Sequence, residues 1–447
     1  MQNKLLIFFC VCSIGLGYSQ ESTKNFTLKE AIRFAVKNNY NAKAAQNDVF
    51  AAKEKQWETT TIGLPTVDAK FDYQNWLKQQ ISLLPAEITG GPAGTFVPVT
   101  FGTKQNLNAS ITLRQMIFDG SYIVGLQSAK TYLNISKQAK EKTELSIREA
   151  VINAYGNVLI AEKSIEILKG NIKILEKNLS DTKKIYSNGL TEEEDVEQLQ
   201  ITLTTVKNQL NKTIRLKDIG YKMLSISLGL SIDNKVNLTD NLDSLIFENI
   251  DLGLLGQSFN VSNHIDYKIA ENTKEGNRLL VLLEKSMALP TLKGFVNYGY
   301  AANSNEFSFF NSSQTWYNSS LVGVSLEIPI FSSFKRRAKT RQAKFNYENS
   351  DIKLTEVKEQ LSLKVSSAKS DYKFSIEQYR AAKQNLDLAQ RIEKKQRVKF
   401  FEGVSTSFEL SQAQNQLYTQ QQNYVQSMLE VIAKKATLEN ALNIPLK

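Results

Sequence analysis

Apolar and small residues recur at alternating steps of three and four positions between Ile147 and Tyr186. This spacing is a heptad seam, which predicts one face of a long α-helix that packs against a neighbour. A helix from about residue 121 to residue 186 would be about 100 Å long at 1.5 Å per residue. A helix of this length is much longer than an ordinary globular core, so the seam indicates an extended, mainly helical architecture.

The end of this predicted helix is marked by Asn188 and Gly189, a pair that stops helices. Thr191 follows and is expected to cap a return helix, whose acidic first turn suits the positive end of the helix dipole. The seam continues from Val196 to Leu210. The sequence therefore predicts an antiparallel helical hairpin with its tip near residues 187–192.

The same plan returns in the second half of the chain. A second seam runs from Leu354 to Ala389, Gly403 ends that helix, and Ser405 is expected to begin the return helix. When Gly189 is aligned with Gly403, aromatic and apolar positions on both sides coincide. The sequence predicts an internal twofold repeat, with a second tip near residues 401–406.

Four segments alternate between apolar and polar residues, as β-strands with two different faces do. They span about residues 65–76, 104–118, 290–300 and 317–331. The stretch LPTVDAKFDY from residue 64 matches LPTLKGFVNY from residue 289, and aromatic residues gather at the strand ends. The pattern is typical of outer-membrane barrel strands, and equally of a half-buried sheet in a soluble protein.

The first 19 residues have the pattern of a signal peptide. Lys4 precedes an apolar run, and small residues stand at Gly17 and Ser19, so we expect export and cleavage after Ser19. The only two cysteines, Cys10 and Cys12, lie in this segment, and the mature chain is expected to lack disulfides. Neither cysteine follows a small residue, which disfavours a lipid anchor.

The order of these segments predicts four regions. They are a signal peptide at 1–19, a first structural repeat at 20–232, an inter-repeat linker at 233–262 and a second repeat at 263–447. No later run reaches the roughly 18 apolar residues that a membrane-spanning helix needs. Any membrane insertion is therefore expected to use the strands.

The formal net charge of +10 comes from acids and bases interspersed along the predicted helices. Such interspersion is typical of a solvated surface, and no nucleic-acid partner is expected. The basic run KRRAKTR at residues 335–341 is interpreted as the solvated start of a helix. Binding of anionic lipid or nucleic acid is the less favoured interpretation of that run.

No residue pattern predicts catalysis. The single histidine, His264, has no cysteine or carboxylate at metal-ligand spacing, which favours a capping or surface role over metal binding. The stretch GGPAGT at residues 90–95 lacks the lysine and hydroxyl residue that complete a phosphate-binding loop. We expect no enzyme activity, no metal and no cofactor.

Four strands are too few to close a barrel, yet in lipid every strand edge must be paired, because an unpaired backbone amide there costs several kcal/mol. Two chains would supply a plugged barrel of eight strands, and three an open barrel of twelve. In such a barrel the apolar strand faces are expected to contact lipid. The lumen would be lined by alternate polar side chains, Asp68, Lys70, Asp72, Arg114 and Glu327.

The order of helix, strand pair and long hairpin, repeated after a signal peptide, resembles the TolC-type outer membrane efflux proteins, the outer membrane factor family. The Leu-Pro-Thr strand entries, the Ile-Phe strand exits at residues 117–118 and 330–331, and the Tyr-x-x-Gly and Phe-x-x-Gly tips carry the likeness. The resemblance implies a homotrimer with a twelve-stranded transmembrane β-barrel and an α-barrel tunnel of helical hairpins through the periplasm. It also implies an exit duct for efflux or type I secretion, coupled to a periplasmic adaptor and an inner-membrane transporter.

The resemblance assigns roles to two groups of residues. Family hairpin tips contact the adaptor, which here implies Tyr186, Gly189, Leu190, Thr191, Phe400, Gly403, Val404 and Ser405. The family's tunnel is narrowed by acidic residues shortly after the tip glycine, which implies Glu409 and Gln412, with Asp195 as the first-half equivalent. Gln412 is not acidic, which weakens the case for a gate with two acidic layers.

A second class of function competes with the duct. A periplasmic coiled-coil scaffold or adaptor without a membrane barrel would also contain helical hairpins and strand pairs. Adaptors usually have one hairpin per chain and a separate lipoyl-like β-domain, for which this sequence has no room. The resemblance further implies that a duct of this kind discriminates little among substrates and that specificity lies in its pump.

Overall fold

The computed structural model describes residues 24–444, and the predicted signal peptide lies outside them. The α-helices are α1 (Leu28–Asn38), α2 (Tyr40–Thr61), α3 (Gly120–Ser187), α4 (Glu193–Leu228), α5 (Leu242–Asn249), α6 (Ile265–Ser286), α7 (Lys335–Phe401) and α8 (Ser407–Ala441). The strands are β1 (Lys24–Phe26), β2 (Thr66–Asn75), β3 (Ile81–Pro85), β4 (Phe96–Thr100), β5 (Gln105–Asp119), β6 (Val236–Leu238), β7 (Thr291–Ser304) and β8 (Tyr317–Glu327). The fold is mainly helical, as the sequence predicted.

Two pairs of long helices dominate the chain. Helix α3 has 68 residues and α7 has 67, and the helices that follow them, α4 and α8, have 36 and 35. At 1.5 Å per residue, α3 and α7 are each about 100 Å long. Among residues 24–444, no helix combines the length and the apolar character that crossing a bilayer would require.

The described residues fall into two compact units. The first contains the chain up to Ala45, Lys140–His264 and the residues from Gln360 onward. The second contains Gln46–Ala139 and Ile265–Glu359. Both α3 and α7 therefore contribute to each unit.

The first unit has a core where the long helices meet the small strands β1 and β6, which pair in parallel. Tyr155 is fully buried there, with its hydroxyl 3.0 Å from both the carbonyl oxygen of Phe26 and a carboxylate oxygen of Asp240. The same carboxylate accepts from the Leu28 backbone N–H at 2.7 Å. This network satisfies polar groups that would otherwise be costly to bury.

A second cluster in the same unit buries the predicted seam residues nearer the hairpin tips. It joins α3, α4 and α8 through Leu175, Leu179, Leu199, Leu203, Val206 and Leu410. The burial of these side chains confirms the heptad interpretation of the first hairpin.

The second unit contains a four-stranded antiparallel sheet in the order β2-β5-β7-β8. The register of β5 against β7 shifts between Met116 and Phe118, so Ile117 bulges out of the ladder. Strand β8 ends at Glu327, before the predicted end at residue 331, because Pro329 has no backbone N–H to donate to a ladder.

The segment between β2 and β5, to which the sequence analysis assigned no strand, contains a β-hairpin of its own. Strand β3 pairs antiparallel with β4, from Ile81 opposite Thr100 to Pro85 opposite Phe96. The stretch GGPAGT lies at the turn of this hairpin. These strands are hard to identify from sequence, because each is short, contains a proline and lacks a regular alternation of apolar and polar residues.

Candidate functional site

The tips of both helical hairpins are built by the same glycine turn. Gly189 and Gly403 each have a φ of +73°, the left-handed conformation that favours glycine. At the first tip, Gly189 N–H donates to the Tyr186 carbonyl and Leu190 N–H to the Ile185 carbonyl, at 2.8 and 3.1 Å. The second tip repeats both bonds at equivalent positions, at 3.1 and 2.9 Å. This is the Schellman arrangement, which satisfies the last carbonyls of a helix.

The residue after each tip glycine presents an apolar side chain to solvent. Leu190 is 77% exposed and Val404 is 72% exposed. The aromatic residues one turn earlier differ, because Tyr186 is exposed whereas Phe400 packs against the buried leucine cluster. Each tip therefore offers an apolar contact surface on a rigid turn.

The start of α4 corrects one expectation from the sequence. Thr191 was expected to cap this helix, but the N-cap position is Glu192, without a side-chain capping bond. The Thr191 hydroxyl donates instead to the Asp195 carboxylate. Thr191 lies one residue before the N-cap, and its hydroxyl is bonded to a carboxylate in the first turn of α4.

The start of α8 uses a different device. Ser405 was expected to begin this helix, but Thr406 is the N-cap and forms a capping box with Glu409. Thr406 N–H donates to the Glu409 carboxylate at 3.1 Å, and Glu409 N–H donates to the Thr406 hydroxyl at 3.3 Å. The Ser405 hydroxyl also donates to that carboxylate, at 2.7 Å. Thr406 was missed, although the Thr-x-x-Glu pattern is a readable signal.

The three acidic-gate candidates occupy three different environments. Asp195 is half-buried and lies close to Ser407, the first residue of α8. Glu409 is exposed and bonded to its own helix start, and Gln412 is exposed. The structure therefore brings Asp195 to α8 but gives the carboxylates of Asp195 and Glu409 separate partners.

Hydrogen bonds hold both carboxylates in the charged form. Burial by itself would raise the pKa of Asp195, but the nearby polar groups of Ser407 and the hydrogen bond from Thr191 outweigh it and hold that pKa below its ordinary value. Hydrogen bonds from the Ser405 hydroxyl and the Thr406 backbone lower the pKa of Glu409. Both side chains are thus anionic at neutral pH.

Further polar links between the hairpins escaped the sequence interpretation. The Gln198 side-chain amide donates to the Ser411 hydroxyl at 3.3 Å, and Asn171 donates to Gln421 at 2.7 Å. Gln414 is buried in the same region. Polar residues interrupting the apolar seams were the available signal, but their partners lie on another helix.

The sheet presents one polar and one apolar face. On the apolar face, the register aligns one residue from each strand in a single row, Val67, Leu113, Val296 and Val322. Phe71 and Val324 lie on the same face and are exposed. No other part of the described chain covers this row.

The polar face carries all five residues predicted to line a lumen. Arg114 pairs with Asp68 at 2.5 Å, and Lys70 pairs with Asp72 at 2.8 Å. Glu327 lies at the end of β8, opposite Thr291. In each of these two ion pairs, the opposite charges cancel within one chain.

Two apolar residues interrupt this polar face. Leu321 on β8 is aligned with Asn297 on β7. The ring of Phe295 on β7 lies over Gly323 on β8, and a Cβ added to Gly323 would be 2.5 Å from that ring. Phe295 therefore occupies space that only glycine leaves free on the neighbouring strand. The sequence interpretation did not identify this pair.

The single histidine lies at a helix end, as the capping alternative predicted, since it is the C-cap of the 3-10 turn at Val261–Asn263 and directly precedes α6. His264 is buried beside Phe259, with the two ring centres 6.2 Å apart, rather than at the surface. Within residues 24–444, no group of three or more His, Cys, Asp or Glu side chains is placed to hold a metal ion.

The fold is similar to that of outer membrane channels of known structure. The chain superimposes on CusC, whose crystal structures describe folding and transmembrane channel formation, with a TM-score of 0.74 and 16% sequence identity. The alignment covers 93% of this chain and 91% of CusC. At this identity the similarity establishes the fold alone.

Sequence comparison establishes the family. The profile described as Outer membrane efflux protein matches residues 32–229 and 280–443, and the chain belongs to that family. Outer membrane protein TolC of Vibrio cholerae serotype O1 is 23% identical over 351 residues, which cover 75% of this chain and 76% of the relative. The alkaline protease secretion protein AprF of Pseudomonas aeruginosa is 22% identical, over 70% of this chain and 64% of its own length. The protein is accordingly an outer membrane protein with a large periplasmic portion, as the resemblance implied.

Proposed function

We propose that three copies of this chain pool their sheets into one transmembrane β-barrel of twelve strands, four from each copy. The observation that carries this proposal is the pair of edge strands, β2 and β8, which have no further partner among the described residues. They run in opposite directions and have 10 and 11 residues, so β8 of one copy can pair antiparallel with β2 of the next. In lipid such pairing is obligatory.

The faces of the sheet give this barrel its orientation. The row of Val67, Leu113, Val296 and Val322 would contact lipid, where apolar side chains are favoured. Asp68, Lys70, Asp72, Arg114 and Glu327 would line an aqueous lumen. A twelve-stranded barrel is wide enough to leave such a lumen open.

The helical hairpins would continue this pore as a tunnel through the periplasm. The matched lengths of α3 and α7, and of α4 and α8, support an internal twofold repeat, with residues 20–232 and 263–447 as its halves and 233–262 as the linker. Six hairpins from three copies would then surround one axis. Their partly apolar seams need such neighbours for burial.

We infer that the assembled channel is the exit duct of a tripartite system for efflux or type I secretion. The name of the family refers to efflux, and AprF is named for the secretion of a protease. The exposed Leu190 and Val404, each on a rigid glycine turn, would contact the periplasmic adaptor. That adaptor would connect the duct to an inner-membrane transporter.

The gate of this duct would lie just beyond the tips. Threefold symmetry would turn Asp195 and Glu409 each into a ring of three carboxylates, which attracts cations and repels anions. Gln412 would contribute a neutral polar ring beside them.

The trimer can be tested with paired cysteines, because the predicted mature chain contains none. Asp68→Cys on β2 and Ser325→Cys on β8 would be combined in one chain and treated with a short bis-maleimide in outer-membrane fractions. We expect a ladder that ends at the trimer on a heated gel, whereas each single-cysteine variant should give no trimer. A soluble, monodisperse monomer would refute the barrel and favour the periplasmic scaffold.

A further inference from the structure

The connection between β8 and α7 exposes a cluster of large apolar side chains. Ile330 is 89% exposed, Phe331 75% and Phe334 68%. The two phenylalanine rings contact each other edge to face, with centres 5.9 Å apart. An exposed apolar cluster next to a sheet edge marks an interaction site more often than an isolated exposed residue does.

This cluster is held in place by a strained and well-bonded backbone. Ser333 and Phe334 have φ values of 46° and 64°, in the left-handed region that side chains other than glycine rarely adopt. The Arg336 guanidinium donates to the carbonyl oxygens of Pro329 and Ile330, at 2.9 and 3.2 Å. Such strain persists only where the surroundings impose it, and it often accompanies a functional surface.

Unpaired cations follow immediately. Lys335, Arg337, Lys339, Arg341 and Lys344 are exposed, and none forms an ion pair with a residue of the described chain. No Asp or Glu occurs from residue 328 until Glu348. The cations occupy about 14 Å of helix at 1.5 Å per residue, and they repel one another and the positive end of the helix dipole. An anion from outside the chain would therefore be bound favourably by these cations.

The equivalent junction between β5 and α3 also exposes apolar side chains, at Ile117 and Phe118, but it lacks the cations. There the Asp119 carboxylate accepts from the backbone N–H of Ser121 at 2.8 Å and of Tyr122 at 3.3 Å, so the helix start is capped by an acid of its own chain. From Gly120 to Ala129 no residue is charged. A basic patch beside exposed aromatic side chains is thus specific to the second junction.

We propose that residues 330–344 form a docking surface for anionic glycerophospholipids in the periplasmic leaflet of the outer membrane. This inference rests on the proposed barrel, whose apolar face continues along β8 through Leu326 to Ile328 and Ile330, all exposed. The aromatic pair would lie at the boundary of the acyl chains, and the cations would bind phosphate oxygens just outside it. A hydrophobic cluster joined to an uncompensated basic patch matches an anionic lipid surface better than an acidic peptide, which offers no acyl layer.

The test uses the purified full-length trimer in detergent, titrated with phosphatidylglycerol or phosphatidylcholine and analysed by native mass spectrometry. The variant Lys335→Gln/Arg337→Gln/Arg341→Gln removes three cations of the surface. The control Lys364→Gln/Lys383→Gln/Lys394→Gln removes three exposed cations elsewhere on α7. We expect the affinity for phosphatidylglycerol to fall roughly fivefold for each charge removed from the surface, as for other basic residues at anionic membranes. The surface variant should bind phosphatidylcholine as the wild type does. The control variant should bind both lipids as the wild type does.

Three results would overturn the proposal. Equal losses in the surface variant and the control would show that net charge acts without a site, and equal binding of both lipids by the wild type would show that the headgroup charge is not recognised. Stronger binding of purified lipopolysaccharide than of phosphatidylglycerol would place the surface at the other leaflet and also contradict the proposal. The trimer is scored separately on an unheated gel. A wild type that forms no trimer would refute the proposed duct, whereas an intact trimer without a lipid preference would refute only the docking surface.

Discussion

The two halves of the chain agree in their strands and tips but differ where their helices begin. Strands from both halves contribute to one apolar row, and both tips use a glycine at the same φ. The first half starts α4 without a capping side chain and directs Asp195 toward α8, whereas the second half starts α8 with a capping box. Elements that repeat a backbone path are therefore alike, while side chains at helix starts have acquired separate roles.

The largest expected effect tests the equivalence of the strands. Leu113→Arg in the first half and Val322→Arg in the second should both block assembly of outer-membrane trimers, because each places a charge on the apolar row at a cost of roughly 2 to 4 kcal/mol per chain. Ser325→Arg, on the polar face, should be tolerated. The measurement is the amount of trimer on an unheated gel of outer-membrane fractions. If Val322→Arg formed trimers and Ser325→Arg did not, the assignment of the two faces would be reversed.

The tips should respond equally to loss of their glycines. Gly189→Ala and Gly403→Ala should each cost about 1 to 2 kcal/mol of stability from the left-handed backbone alone. An added Cβ meets nothing within 4 Å at either position, so no clash contributes. Gly170→Ala, in the interior of α3 with equally open surroundings, should be neutral or stabilising. Thermal unfolding in detergent, followed by circular dichroism, distinguishes these outcomes, and clearly unequal losses at the two tips would contradict their equivalence.

The helix starts should respond unequally. Thr406→Ala removes the capping bond of α8 and should cost about 1 kcal/mol. Thr191→Ala removes only a bond to Asp195, because Thr191 does not cap α4, and it should cost less. Hydrogen exchange of the first-turn amides would locate the loss, which should be confined to α8 in Thr406→Ala. Equal effects of both substitutions would mean that the difference at the helix starts has no energetic weight.

The smallest effect concerns pH. The folded-state pKa of Asp195 lies below its ordinary value, so the carboxylate stabilises the fold at neutral pH, and this contribution is lost as the pH falls through the folded-state pKa. Asp195→Asn should therefore lower the melting temperature at neutral pH, and its difference from the wild type should shrink in acid. Glu194→Gln, one residue earlier and exposed, is the matched control and should show little difference at any pH. A difference for Asp195→Asn that is constant with pH would exclude the charge as its cause.

Local patterns predicted the long helices well. The seam from Ile147 to Tyr186 lies entirely within α3, and its leucines at 175 and 179 are buried. Strand faces were also predictable, because alternation along one segment decides which side chains share a face. The small hairpin of β3 and β4 was missed, since prolines and glycines outweighed its short apolar runs.

The candidate site was predictable only in part. The tip glycines were identified from sequence because a left-handed turn at a helix end demands glycine. The proximity of Asp195 to Ser407 was not, because Ser407 belongs to the other hairpin and no residue near Asp195 in the sequence indicates it. The burial of His264 was not predicted for the same reason, since it depends on residues such as Phe259 that pack over it.

The sequence by itself determined the periods of the helices, the faces of the strands and the positions of the tips, because each depends on residues within a few turns or one strand. Only the tertiary structure decided which polar side chains meet across the hairpins and which aromatic residues stay exposed before α7. Gln198 and Ser411 are 213 residues apart in the chain, and their contact depends on how two long helices align along their whole length. Periodicity sets which face of a helix is apolar, but packing sets the partner that this face meets.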